Sequence, residues 1–246
     1  PDFLLMMAED FSTNGIQISN SGEGGTVENR VENNIINLGI DSDNEGSKRG
    51  ILINNNQSDR YSLVNILEEA PINYNLDSAY NFIKGNTITN LQTNFGTVSA
   101  VKVLNTVNDL AETEITGNNI DNIQSGISNL DLIKSADPML QKILLIPFPE
   151  LYGSANAVYV NSELREAGTA QNKISKNNIS RIKGIQFSKL FPIDLYFAED
   201  FSTNAVMLNN SGVDASVFNE INDNNIQLAI TADNEGSQRG IFVNNS

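Results

Sequence analysis

Three carboxylates at alternate positions, Asp41, Asp43 and Glu45, are the first residues in this 246-residue chain whose spacing could bind a metal. Oxygen ligands spaced in this way and followed by Gly46 are typical of the start of a calcium-binding loop. Such a loop also needs a bidentate Glu further on, and Leu52 stands in that place. The missing ligand favours a solvated turn, and a structural Ca2+ stays as the one candidate cofactor.

Histidine and cysteine are missing from the sequence altogether. Their absence excludes disulfides, Cys–zinc sites, thiol catalysis and every nucleophile–histidine pair. Glu9 and Asp10 recur as Glu199 and Asp200, and a pair of acids can do acid–base work. The residues around the two pairs recur with them, which favours a structural loop. We therefore expect a protein that is not an enzyme, with no catalytic or cofactor-binding residues.

The composition excludes two classes of partner. Only 15 residues are Lys or Arg, against 30 Asp or Glu, so the formal net charge of -15 argues against nucleic acid, whose phosphates are neutralised by basic side chains. No apolar run approaches the length of a membrane span. Of the chain, 39% is hydrophobic and 18% is charged, which suits many short strands and turns better than a disordered acidic chain.

A long internal repeat is plain in the sequence. Residues 8–56 align without a gap onto residues 198–246, an offset of 190, at about half identity. Thr231 in the second copy replaces Asp41 of the first, which weakens the calcium loop further. We expect one continuous β-solenoid over residues 1–246, with the second copy of the 190-residue period only partial.

Within the period a shorter motif occurs five times: a β-branched residue, two residues, Asn, one residue, Ile. The copies start at Val31, Ile83, Ile115, Ile174 and Ile221, and end at Ile36, Ile88, Ile120, Ile179 and Ile226. Stacking like on like would make each set a buried apolar column. The asparagines between them, Asn34, Asn86, Asn118, Asn177 and Asn224, should form the corners, because Asn tolerates left-handed backbone. Their amides would then bond along the axis as an asparagine ladder.

Each copy is followed by a second short strand-like segment, at 50–54, 101–104, 126–129, 184–187 and 240–244. The spans 62–70 and 105–114 are each interpreted as one or two helical turns, and 136–152 as a loop excursion.

The segments NTITN at 86–90, NNIDNI at 118–123 and NNISRIKGIQF at 177–187 resemble coils of the right-handed parallel β-helix repeat proteins, the pectate-lyase-like group. The resemblance implies an all-β fold, a right-handed parallel β-helix with irregular loop excursions. Polygalacturonase-like members of that group combine an Asp-Asp doublet and a Gly-His-Gly with Arg-Ile-Lys. Here Arg181-Ile182-Lys183 stands without either partner motif, so a solvated strand edge is expected there.

Two functions follow from the resemblance and the repeats. The first is a structural or adhesive β-solenoid at a cell or virion surface, either a segment of a long repeat protein or a subunit that associates end to end into a fibre. The alternative is a polysaccharide-binding or -cleaving β-helix of lyase or tailspike type, whose partner would be a glycan. A sandwich-type adhesin array is a third architecture, and antiparallel strand pairing would reveal it.

Overall fold

The computed structural model describes residues 13–22, 24–39, 47–55, 76–93, 97–125, 154–165, 167–184, 203–228 and 238–246. Within these ranges the chain forms fifteen strands, arranged in three stacks, and no helix. The first stack is β1 (Thr13–Asn20), β4 (Lys48–Asn55), the first half of β7 (Val98–Thr116), β9 (Ala155–Leu164), β12 (Thr203–Gly212) and β15 (Gln238–Asn245). The second is β2 (Thr26–Glu32), β5 (Leu76–Lys84), the second half of β7, β10 (Thr169–Ser175) and β13 (Ser216–Asn222). The third is β3 (Ile35–Asn37), β6 (Thr87–Thr93), β8 (Asn119–Ser125), β11 (Asn178–Lys183) and β14 (Asn225–Gln227).

The chain passes through the three stacks in the same order each time, and we call one passage a coil. Five coils are complete, and β15 lies beyond the fifth on the first stack. All thirteen strand pairings among the described residues are parallel. The predicted all-β structure with parallel sheets is therefore confirmed, and the antiparallel sandwich is wrong.

Both predicted apolar columns are confirmed by the register. Val31 pairs with Ile83, which pairs with Ile115, and the series continues through Ile174 to Ile221. The second column runs in register through Ile36, Ile88, Ile120, Ile179 and Ile226. The inner members are fully buried and only Ile221 and Ile226, at one end, are partly exposed. Each fully buried Ile contributes about 1.5–3 kcal/mol of hydrophobic stabilisation.

The helical interpretation of 105–114 is wrong, because the span lies inside the 19-residue strand β7. Ala111 and Thr113 are buried at alternate positions, which is the period of a strand. The second-strand segments at 50–54, 101–104 and 240–244 do lie on the first stack. The segments at 126–129 and 185–187 lie outside the described residues, as do the spans 62–70 and 136–152. In the fourth and fifth coils the first stack is formed by β9 and β12 instead.

The long repeat has a structural counterpart. Strands β12, β13, β14 and β15 each begin 190 residues after β1, β2, β3 and β4 respectively. On the first stack β12 is four strands beyond β1. One 190-residue period therefore corresponds to four coils.

Candidate functional site: the asparagine ladders

A single asparagine ladder runs along the corner between the second and third stacks, through Asn34, Asn86, Asn118, Asn177 and Asn224. Asn86 makes the contacts of an interior rung. Its Oδ1 accepts from the backbone N–H of Asn34 at 2.9 Å and from Asn34 Nδ2 at 3.0 Å. Its Nδ2 donates to the Val31 carbonyl at 2.8 Å and to Asn118 Oδ1 at 3.0 Å.

The same four bonds recur at the next two rungs of this single ladder. Asn118 and Asn177 each accept from the backbone and the amide of the rung before. Each also donates to a column-residue carbonyl and to the rung after. All three interior asparagines are buried, and a buried amide without partners would cost about 1–3 kcal/mol per group. The ladder therefore satisfies polar groups in a corner that excludes water.

The expected left-handed backbone is not at these asparagines but at the residue before each of them, which corrects the sequence interpretation. Positive φ values between 54° and 66° occur at Asn33, Gly85, Gly117, Lys176 and Asp223. The preceding residue turns the chain from the second stack to the third, and the corner Asn directs its N–H and its side chain at the neighbouring coils. At Gly85 a Cβ would come within 2.5 Å of Asn33 Oδ1, so a larger residue there would displace the Asn33 side chain, and the positive φ favours glycine.

A second, double asparagine ladder fills the corner between the first and second stacks, and the sequence analysis missed it. Its first-stack rungs are Asn20, Asn55, Asn105, Ser162, Asn210 and Asn245, and its second-stack rungs are Asn29, Asn81, Thr113, Asn172 and Asn219. Asn55 Nδ2 donates to Asn81 Oδ1 at 3.0 Å in its own coil and to Asn105 Oδ1 at 2.8 Å in the next. Asn29 Nδ2 donates to Asn55 Oδ1 and Asn81 Oδ1 at 3.1 and 2.9 Å. The first-stack and second-stack rungs are thus linked into one buried network of amides that alternates between the two stacks.

The double ladder is interrupted in the third and fourth coils. Thr113 and Ser162 occupy rungs that carry Asn elsewhere, and neither has an amide to donate. Asn81 Oδ1 accepts from two amides, whereas Asn172 Oδ1, the equivalent atom, is buried and unpaired among the described residues. Asn172 Nδ2 still donates to Asn210 and Asn219, both at 2.9 Å, so the ladder resumes beyond the gap.

Arg181, the first residue of the Arg-Ile-Lys tripeptide, lies inside β11 and joins two coils. Its φ is 53°, and its Nε donates to Asp121 Oδ1 at 2.7 Å. The hydrogen bond from Arg181 lowers the pKa of Asp121, partly offset by burial, and a 2.8 Å bond from Ser180 Oγ lowers it further. Ile182 is fully buried in the core. The tripeptide therefore supplies an inter-coil ion pair and a core side chain.

The calcium candidates Asp41, Asp43 and Glu45 lie outside the described residues, as do the acidic pairs Glu9–Asp10 and Glu199–Asp200. In the part of the chain that the structure describes, no three Asp or Glu side chains gather as a metal site.

The outward face of the second stack carries a patch of charged and aromatic side chains, which we call the outer patch. It consists of Glu28, Arg30, Glu32, Tyr80, Phe82, Lys84, Glu112 and Glu114. Arg30 and Lys84 lie over the Phe82 ring, 4.5 and 5.1 Å from its centre. Lys84 Nζ is 2.6 Å from Glu114 Oε2, and Arg30 Nε is 2.5 Å from Glu28 Oε1. The patch combines aromatic rings with acids and bases on adjacent coils.

Within the described ranges, no helix has the length and apolarity that crossing a bilayer requires. No protein-family model, curated protein or solved structure matches the chain.

Proposed function

We propose that the protein is a right-handed parallel β-helix whose function is structural: a stiff extracellular rod at a cell or virion surface. The observation that carries this proposal is the repetition of equivalent side chains in register through the five described coils, in two apolar columns and the single asparagine ladder. Each coil buries its apolar and amide side chains only against its neighbours, so length can grow without a new core.

The four-coil period supports an array in which the same coils recur along one axis. Neighbouring strands lie about 4.8 Å apart, so four coils rise by about 19 Å. An array of such periods, either along one longer chain or through end-to-end association, would present the same surface at that interval.

The purified chain tests this proposal by analytical ultracentrifugation over a wide concentration range, with electron microscopy of the concentrated sample. We expect elongated particles that lengthen with concentration, and an aligned specimen should diffract at about 4.8 Å along the particle axis. Compact monomers at every concentration would overturn end-to-end association, and a 4.8 Å spacing perpendicular to the axis would overturn the rod.

The outer patch favours a second candidate function, glycan binding on one side of the rod. Tyr80 offers a ring face, and Glu28, Arg30 and Glu114 offer charged hydrogen-bonding groups on adjacent coils. Titration of the protein with acidic and neutral oligosaccharides, followed by NMR, tests this role. Shifts that Tyr80→Ala abolishes would support it, and no shift with any sugar would exclude it for the sugars used.

A further inference from the structure

At the C-terminal end of the stacks, β13 and β14 repeat the edge that β2 and β3 form in the first coil, and the strands that cover that first edge are known. β15 lies on β12 in the register that β4 has on β1. β2 and β3 are then covered by β5 and β6. Within the described residues, β13 and β14 pair on one side only, with β10 and β11. Among the described residues there is thus one covered and one uncovered copy of the same strand edge.

The uncovered edge keeps the side chains that the covered edge uses. On the covered edge Val27, Asn29 and Val31 face Ala79, Asn81 and Ile83. Their counterparts on the uncovered edge are Val217, Asn219 and Ile221. Phe218, between two of these, is 63% exposed. An edge of this kind, apolar and amide-bearing with open backbone groups, is suited to strand addition.

The single asparagine ladder is also directional at this edge. On the covered edge the Asn34 backbone N–H and Nδ2 both donate to Asn86 Oδ1, and the Asn34 carbonyl accepts from Thr87 N–H at 2.8 Å. Asn224 is the counterpart of Asn34, and its Nδ2 donates to the Ile174 and Asn222 carbonyls at 2.8 and 3.0 Å. Asn118 Nδ2 makes the same two contacts and also donates to the next rung, whereas no next rung follows Asn224 among the described residues. The donors and the acceptor are therefore placed for one more rung of the same kind.

We propose that the β13–β14 edge binds a second copy of the β5–turn–β6 segment, residues 76–93. The register pairs Asn219, Ile221 and Asn224 of the edge with the incoming Asn81, Ile83 and Asn86. Backbone bonds supply the affinity, and the two ladders and the two columns fix the register, because a slip of one residue turns the incoming apolar side chains outward. This inference rests on the proposed structural function and adds the identity and register of the partner.

A dye-labelled peptide of residues 76–93 added to the purified chain tests the inference by fluorescence anisotropy and hydrogen exchange. We expect one peptide bound per chain, with slower exchange of the β13 and β14 backbone amides. A peptide of the same composition in scrambled order is the control. Equal binding of the two peptides, or no binding of the native one, would overturn the inference.

Two matched variants locate the site. Asn224→Ala should weaken peptide binding about fivefold through the loss of one rung's hydrogen bonds, while Asn34→Ala, the counterpart at the opposite end, should leave binding unchanged. The reverse result would place the peptide at the N-terminal end and overturn the proposal. Binding of the peptide by a chain that stays monomeric would support this inference while removing end-to-end association. Assembly of the chain without peptide binding would support end-to-end association and overturn this inference.

Discussion

Strands β4, which begins the second coil, and β15, which follows the fifth, have closely similar sequences but different surroundings. Ile51 in β4 and Ile241 in β15 are equivalent positions in the repeat, yet Ile51 is fully buried and Ile241 is 49% exposed. The difference arises because β4 is followed on the first stack by β7, whereas β15 has β12 on one side only among the described residues. The local sequence determines where each strand lies, and the neighbouring coil determines what the strand's side chains contribute to stability.

The largest difference in stability should appear when the isoleucine side chain is removed at each of these two positions in turn. Ile51→Ala should lower the free energy of unfolding by about 3 kcal/mol through lost burial and the cavity left behind. Ile241→Ala should lower it by less than about 1 kcal/mol, because its side chain is already half in water. Urea denaturation of the two variants measures the difference. Equal losses would mean that Ile241 is covered in solution.

The single asparagine ladder offers a similar comparison between an interior rung and an end rung. Asn118→Ala should cost about 3 kcal/mol, since it removes bonds to the rungs on both sides and leaves buried groups unpaired. Asn34→Ala should cost about 1 kcal/mol, because Asn34 is half-buried and bonds to one rung only. Thermal denaturation of both variants measures the two losses of stability, and the loss for Asn118→Ala should be about three times that for Asn34→Ala. A larger loss at Asn34 would contradict the account of the ladder.

Completing the double asparagine ladder should stabilise the interior coils. In Ser162→Asn the new amide would lie where Asn55 Nδ2 lies in the second coil and would donate to the unpaired Asn172 Oδ1. We expect a gain of about 1 kcal/mol in the free energy of unfolding. The converse change, Asn55→Ser, should destabilise the protein by a similar amount. Destabilisation by Ser162→Asn would show that the corner has no room for the larger side chain.

The smallest effect is expected from the ion pair between the third and fourth coils. Because Arg181 lowers the pKa of Asp121 in the folded state, the ionised carboxylate stabilises the fold above the pKa of the unfolded chain, about 3.9. Asp121→Asn should therefore be slightly less stable at neutral pH. The gap between wild type and variant should close as pH falls from about 4 through the lowered folded pKa. Added salt should narrow it at neutral pH, and a gap that is independent of both pH and salt would contradict the ion-pair account.

Spacing alone predicted the two apolar columns and the asparagine ladder between the second and third stacks, because each coil carries the same short motif. The double ladder was missed for a specific reason: its second-stack Asn lies two residues before the β-branched residue at which the motif was taken to start. Asn29, Asn81, Asn172 and Asn219 share that position, and Thr113 interrupts the series. A motif that begins two residues earlier contains the second-stack rungs of the double ladder.

The placement of the first-stack strands could not be predicted in the same way. The segments between coils differ in length, so no fixed offset from the motif leads to β9 and β12. The helical interpretation of 105–114 fails because Asn105 and Thr113, two polar residues of the span, are both buried rungs of the double ladder. In a sequence pattern polar residues usually mark the solvent-facing side of a strand or helix. Where amides are buried in a ladder, polar residues mark the interior instead.

The orientation of the amides has an electrical consequence. In the single ladder each Nδ2 from Asn34 to Asn177 donates to the Oδ1 of the following coil. Amide groups aligned head to tail polarise one another and add their dipoles, as peptide groups do along an α-helix. The ladder therefore carries a net dipole along its axis, and its two ends differ in electrostatic potential. Any rod built from these coils would have a plus and a minus end, and a free subunit would be drawn to each in one orientation.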